Sequence, residues 1–148
     1  MSTIYFSGAI SGGRADVSLY RRIVEALEAD GHHVLAGAVA SETIGDAGET
    51  LNPPDIYARD LGWLDQAELV VAEVSVPSLG VGYEIAYATR VRQIPVIALY
   101  RPEYTKRCSA MISGDPGMTF LEYEDPTAML PRLLESIRRI RRYPDRFP

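Results

Sequence analysis

Short apolar runs, set apart by longer stretches with an apolar residue every three to four positions, constrain this chain most. Glu68-Leu-Val-Val-Ala72 and Ile94-Pro-Val-Ile-Ala-Leu99 hold few polar residues. Such runs suit strands covered on both faces, the situation of a parallel sheet. Pro95 is tolerated because it falls at the beginning of its strand. Thr3-Ile-Tyr-Phe-Ser7, ending at Gly8, reads as another buried strand, and His33-Val-Leu35 and Met118-Thr-Phe-Leu121 as two more.

Helices are expected between them. Leu19, Ile23, Ala26 and Leu27 share one helical face, which Gly31 closes. Ile56, Asp60, Trp63 and Leu64 lie near one side of a helix over 55–67, and Val81, Ile85 and Ala88 follow a start near Ser78. A short helix is expected over 105–112, and an amphipathic one over 126–139 through Met129, Leu133, Leu134 and Ile137. Strands that alternate with helices imply right-handed crossovers. The expected fold is α/β: a mostly parallel five-stranded sheet with helices on both faces, a Rossmann-like or flavodoxin-like three-layer sandwich, in one domain over residues 1–148.

Composition removes other classes. At 47% hydrophobic and 24% charged, the chain is an ordinary globular one. Cys108 is its single cysteine, so neither an intrachain disulfide nor a Cys-rich zinc site is expected. Adjacent His32 and His33 point to opposite sides of an extended chain and make no bidentate pair. No metal and no cofactor are expected. No apolar run reaches the roughly 20 residues of a membrane span, and a soluble, cytoplasmic protein is the expectation. The net charge of −5 is uneven, with +4 on residues 138–148 and −9 on the rest. That balance gives no broad basic surface for nucleic acid. Arg138, Arg139, Arg141 and Arg142 read as a solvated helix end.

Open parallel sheets bind ligands beyond the carboxyl ends of their strands. Ser7-Gly-Ala-Ile10 followed by Ser11-Gly12-Gly13-Arg14 is expected there, with backbone N–H groups and an arginine suited to an anion. The loop is neither a lysine-bearing P-loop nor a complete GxGxxG fingerprint, and a tight turn explains it as well as a phosphate cradle does. Pro77-Ser78-Leu-Gly80-Val-Gly82-Tyr-Glu84 carries a strand end into a glycine-rich helix start and sets Ser78 and backbone donors at the same sheet edge. Glu84 lies about two turns into that helix, and Asp60 lies amid the apolar face of the preceding one. Two carboxylates in one crevice suit glycosidic bond cleavage: one attacks or stabilises the sugar carbon and the other assists the leaving group. Structural ion pairs are the alternative, and Tyr5 is either a core aromatic or an orienting group. Residues 37–54 read as a lid or a connector. No GxSxG elbow exists, and Cys108 reads as structural.

Tyr5-Phe-Ser-Gly-Ala-Ile-Ser-Gly-Gly-Arg14, Asp60-Leu-Gly-Trp-Leu-Asp-Gln-Ala67, Val70-Val-Ala-Glu73 onward through Pro77 to Glu84, and Cys108-Ser-Ala-Met-Ile112 occur in this order. Together they resemble the 2′-deoxynucleoside 5′-phosphate N-hydrolases of the nucleoside 2-deoxyribosyltransferase superfamily, over roughly residues 3–124. The resemblance implies release of the base and 2-deoxyribose 5-phosphate through a covalent glycosyl-Glu84 intermediate. It implies acid/base assistance from Asp60 and orientation of the carboxylate by Tyr5. Gly8, Ile10, Ser11, Gly12, Gly13, Arg14, Asp16, Ser78 and Gly80 would line the substrate and its phosphate, and Ser109 would reach the phosphate of the other subunit in a homodimer. Ile10 and Asp16 are more similar to the deoxynucleotide hydrolases than to CMP hydrolases. Base transfer, ribonucleotide hydrolysis and a non-catalytic nucleotide-binding module are the alternatives.

Overall fold

The computed structural model describes residues 1–10, 16–37, 39, 50–103 and 107–144. Five strands form one sheet: β1 (Thr3–Ser7), β2 (His33–Leu35), β3 (Leu69–Glu73), β4 (Val96–Tyr100) and β5 (Thr119–Glu122). Their order is β2-β1-β3-β4-β5, and every pairing is parallel. β1 and β3 are interior strands in register, with Tyr5 beside Val70 and Ser7 beside Ala72. The chain reverses its direction of winding at β1, so the crevice between the ends of β1 and β3 is where such a sheet receives a ligand.

Alternation along the strands divides the core. Ile4, Phe6, Val71, Ile97 and Leu99 face one side, where α1 (Val17–Ala29) and α5 (Pro126–Arg142) bring Ile23, Leu27, Met129, Leu133 and Ile137. Tyr5, Val70, Ala72 and Val96 face the other, under α2 (Pro53–Gln66) and α3 (Leu79–Ala86), which supply Leu64, Val81 and Ile85. The expected three layers are present, and the sheet among the described residues is parallel throughout.

Several boundaries differ from expectation for local reasons. β3 extends through Glu73, whose charged side chain is buried among hydrogen-bond donors. α3 gives way at Tyr87 to a π-helical turn, Tyr87–Arg92, where the Thr89 hydroxyl donates back to the carbonyls of Ile85 and Ala86. α4 is only Ala110–Ser113, and 105 and 106, inside the expected helix, lie outside the described residues. α5 runs on to Arg142, and Arg138 on it pairs with Asp30 at 2.6 Å. Most of the expected lid or connector, residues 38 and 40–49, is also outside the described residues.

Candidate active site

Three local devices bring the chemistry together. On β1, positions 5 and 7 point to the same face, so Tyr5 and Ser7 both look toward α3. At the start of α3, the Ser78 Oγ accepts the Val81 N–H at 3.3 Å and caps the helix, which sets the phase that turns Glu84 inward. α2 begins with Asn52, whose side chain accepts the Asp55 N–H at 3.1 Å, and Pro53 occupies its first turn. Asp60 and Arg59 follow two turns later on the face toward the sheet edge.

The result is a cavity of about 230 Å³ lined by Tyr5, Gly8, Ile10, Ile56, Arg59, Asp60, Ser78, Gly80 and Glu84, with Ala36, Val39 and Val81 completing the wall. Both oxygens of Glu84 are held. The Tyr5 hydroxyl donates to Oε1 at 3.1 Å, and the Ser7 hydroxyl donates to Oε2. Burial pushes the Glu84 carboxyl up to about 7, against the pull of the Ser7 and Tyr5 hydroxyls and of the Arg59 cation, with the Asp60 charge adding to the rise. Burial likewise raises the Tyr5 hydroxyl far above its ordinary range, reinforced by Glu84 and Asp60, so it stays a donor. Arg59 bonds Asp60 through Nε at 2.9 Å.

Of the residues singled out from sequence, Tyr5, Gly8, Ile10, Asp60, Ser78, Gly80 and Glu84 share this cavity. Ser11, Gly12, Gly13 and Arg14 lie outside the described residues. Asp16 is buried at the entrance to α1 and pairs with Arg101 at 2.8 Å. Ser109 lies apart from the carboxylates, in an adjoining groove of about 520 Å³ that also holds Ser78, Leu79, Arg107, Met111 and Ile112. Ser78 belongs to both walls. Sequence reasoning sets Ser7 at the ligand-facing edge without pairing it with Glu84, and it does not reach Arg59. Ser7 was legible from the period of two along β1 once Tyr5 was chosen, whereas Arg59 had only its adjacency to Asp60. His32 is spent on structure, its Nδ1 accepting the Ser2 N–H at 3.2 Å. Among the described residues no group of three His, Cys, Asp or Glu side chains is placed to hold a metal ion.

The model of the nucleoside 2-deoxyribosyltransferase family matches residues 4–120. This chain belongs to that family. Members that resemble it include a Syntrophotalea carbinolica protein provisionally named 2′-deoxynucleoside 5′-phosphate N-hydrolase 1, 40% identical over 134 residues that cover 90% of this chain and 93% of that one. Another is the 5-hydroxymethyl-dUMP N-hydrolase of Tetraodon nigroviridis, 45% identical over 80% of this chain and 84% of its own. The solved structure of Clostridium botulinum CMP N-glycosidase shares the fold, with a TM-score of 0.62 at 16% identity, covering 88% of this chain and 96% of that chain. The family assignment agrees with the sequence resemblance, and its blocks contribute the walls just described.

Proposed function

We propose that this protein hydrolyses the N-glycosidic bond of 2′-deoxynucleoside 5′-monophosphates, releasing the free base and 2-deoxyribose 5-phosphate. The observation that carries this reading is the meeting of Tyr5, Asp60 and Glu84 in one cavity whose remaining wall includes Gly8, Ile10, Ser78 and Gly80. Relatives at 40% and 45% identity that carry deoxynucleotide N-hydrolase names support it.

Glu84 is the nucleophile. An ionised Oε attacks C1′ while the C1′–N bond breaks and its electron pair leaves with the base, which takes a proton from Asp60. The glycosyl ester on Glu84 is then opened by water, whose oxygen bonds C1′ and whose proton returns to Asp60. Tyr5 and Ser7 hold the carboxylate in line before the attack, a saving in orientation that the transition state inherits. The phosphate sits at the Gly8, Ser11, Gly12, Gly13 and Arg14 loop and at the N-terminus of α3, where Ser78 and the N–H of Gly80 complement negative charge. Asp16, through Arg101, ties the base of that loop to the end of β4.

The working form is a homodimer. Leu79 is 96% exposed and Met111 83% exposed, and both line the groove that holds Ser109. A second copy seated there covers them and brings its own Ser109 toward the phosphate. The compartment is the cytoplasm, where free nucleotides are found.

The test is base release from purified dNMPs, the matching NMPs and unphosphorylated deoxynucleosides, followed chromatographically. Selective cleavage of dNMPs is expected. Absence of cleavage across all three sets overturns the reading. Because the family is described by base transfer, a second free base is added to each reaction, and exchange in place of hydrolysis identifies a transferase.

A further inference from the structure

Among the described residues, one cationic side chain stands in the wall of the carboxylate cavity, that of Arg59. Its guanidinium is held on several sides. Nε donates to Oδ1 of Asp60 at 2.9 Å, and Nη2 lies 2.8 Å from the same oxygen. The guanidinium carbon is 4.7 Å from the centre of the Trp63 ring. Trp63 is backed by the turn at Gly37, where a Cβ would come within 2.6 Å of Cζ3 of the indole and 3.6 Å of Nη2 of Arg59. A planar cation stacked on an aromatic face and forked onto a carboxylate is a fixed object, and an ammonium cannot reproduce both contacts.

An exposed pair of neighbouring residues on a helix would contribute little, but this pair is partly buried, with side-chain exposures of 23% and 20%, and forms the wall of the site. We infer that Arg59 is a positioning residue that holds the Asp60 carboxylate toward the leaving base, so that departure of the base, and not capture of the substrate, depends on it. The inference rests on the proposed role of Asp60. As the C1′–N bond breaks, its electron pair moves onto the base and the proton that neutralises it comes from Asp60. Arg59 keeps all its own protons, as guanidinium does near neutral pH. What it supplies is the direction of the Asp60 carboxyl and a positive charge that favours the carboxylate left behind, so that Asp60 gives up its proton more readily as the base departs. The charges facing the pair include Glu84 from α3, and the same cation pulls the Glu84 carboxyl down.

The experiment is a double-mutant cycle of Arg59→Gln and Asp60→Asn. Single-turnover base release is measured on dUMP and on 5-fluoro-dUMP, whose base leaves more easily, or on dGMP and 7-methyl-dGMP where the dNMP panel shows a purine preference. Arg59→Gln is expected to slow release of the poorer leaving group by about ten- to a hundredfold, the scale of a misplaced reacting group, with KM little changed. The loss on the better leaving group should be smaller, and the double variant should be no slower than Asp60→Asn alone. Losses that multiply, equal losses on both substrates, or a change confined to KM overturn the inference and leave the hydrolase reading standing. Wild-type protein that cleaves no deoxynucleotide overturns both. Arg59→Lys, with circular dichroism and melting as controls, carries the same test should the glutamine variant not fold, and it should recover only part of the rate.

Discussion

Ser7 donates its hydroxyl to Oε2 of Glu84, joining the carboxyl end of β1 to the second turn of α3 across 77 positions of sequence. With the Tyr5 hydroxyl on Oε1, the carboxylate has a donor on each oxygen and little rotational freedom. Two fixed donors on a buried acid raise no conflict as long as the acid is ionised, the form that attack on carbon requires.

Glu84→Gln keeps the shape of the side chain and removes the proposed nucleophile. Base release in steady-state assays should fall by about a thousandfold or more, the scale for a group that acts at the breaking bond. Melting temperature should not fall with it, because the substitution replaces a carboxyl whose ionisation burial disfavours.

The pH profile follows from the same carboxyl. Its folded value of about 7 lies above the ordinary carboxylate range, so kcat/KM should decline as pH drops below that value. Ser7→Ala removes one of the donors that lower the value, and the acid limb should move to higher pH. The folded state binds this proton more tightly than the unfolded chain does. Its contribution to stability therefore falls as pH rises from the ordinary carboxylate range through about 7. Melts of wild type and Glu84→Gln across that window should converge at low pH and separate at high pH, with the variant the more stable.

Gly37→Ala meets two obstacles at once. The residue has a φ of +51°, and a Cβ there would lie 2.6 Å from Cζ3 of Trp63. A loss of stability of about 1 kcal/mol or more is expected from the backbone strain alone. Denaturant titration reads it, and a parallel assay should show base release falling further than stability does, since Trp63 supports Arg59.

Leu79→Asp places a charge on a residue that is 96% exposed in one copy. Sedimentation velocity should find wild type as a dimer and the variant as a monomer. Phosphate-dependent KM should rise in the variant, and a fully active monomer would remove Ser109 of the second subunit from the site.

The strands and helices were legible because a parallel sheet buried on both faces leaves unbroken apolar runs, and its covering helices leave one apolar stripe each. The ends were less so. Glu73 ends β3 on a carboxyl that only its partners explain, and α3 passes at Tyr87 into a π turn that periodicity does not see. Within the site, Glu84 and Asp60 stood out because a carboxylate on an apolar face is costly unless it is used. Arg59 did not stand out, because a charge one position before Asp60 looks like the solvated side of a helix until Trp63 and Gly37 are seen to pack against it.

Behind the cavity, the buried Glu73 accepts from the Tyr123 hydroxyl at 3.2 Å and from the Ser75 hydroxyl, whose Oγ accepts the backbone N–H of Arg101 at 2.8 Å. Arg101 reaches on to Asp16 at the mouth of α1. Solvent deuterium can replace that one amide proton only when the link between the ends of β3 and β4 opens, so its exchange rate is a built-in gauge of how often the joint that holds Asp16 at the start of α1 comes apart. A bound nucleotide that steadies Asp16 would be registered there as slower exchange, at an amide two contacts away from it.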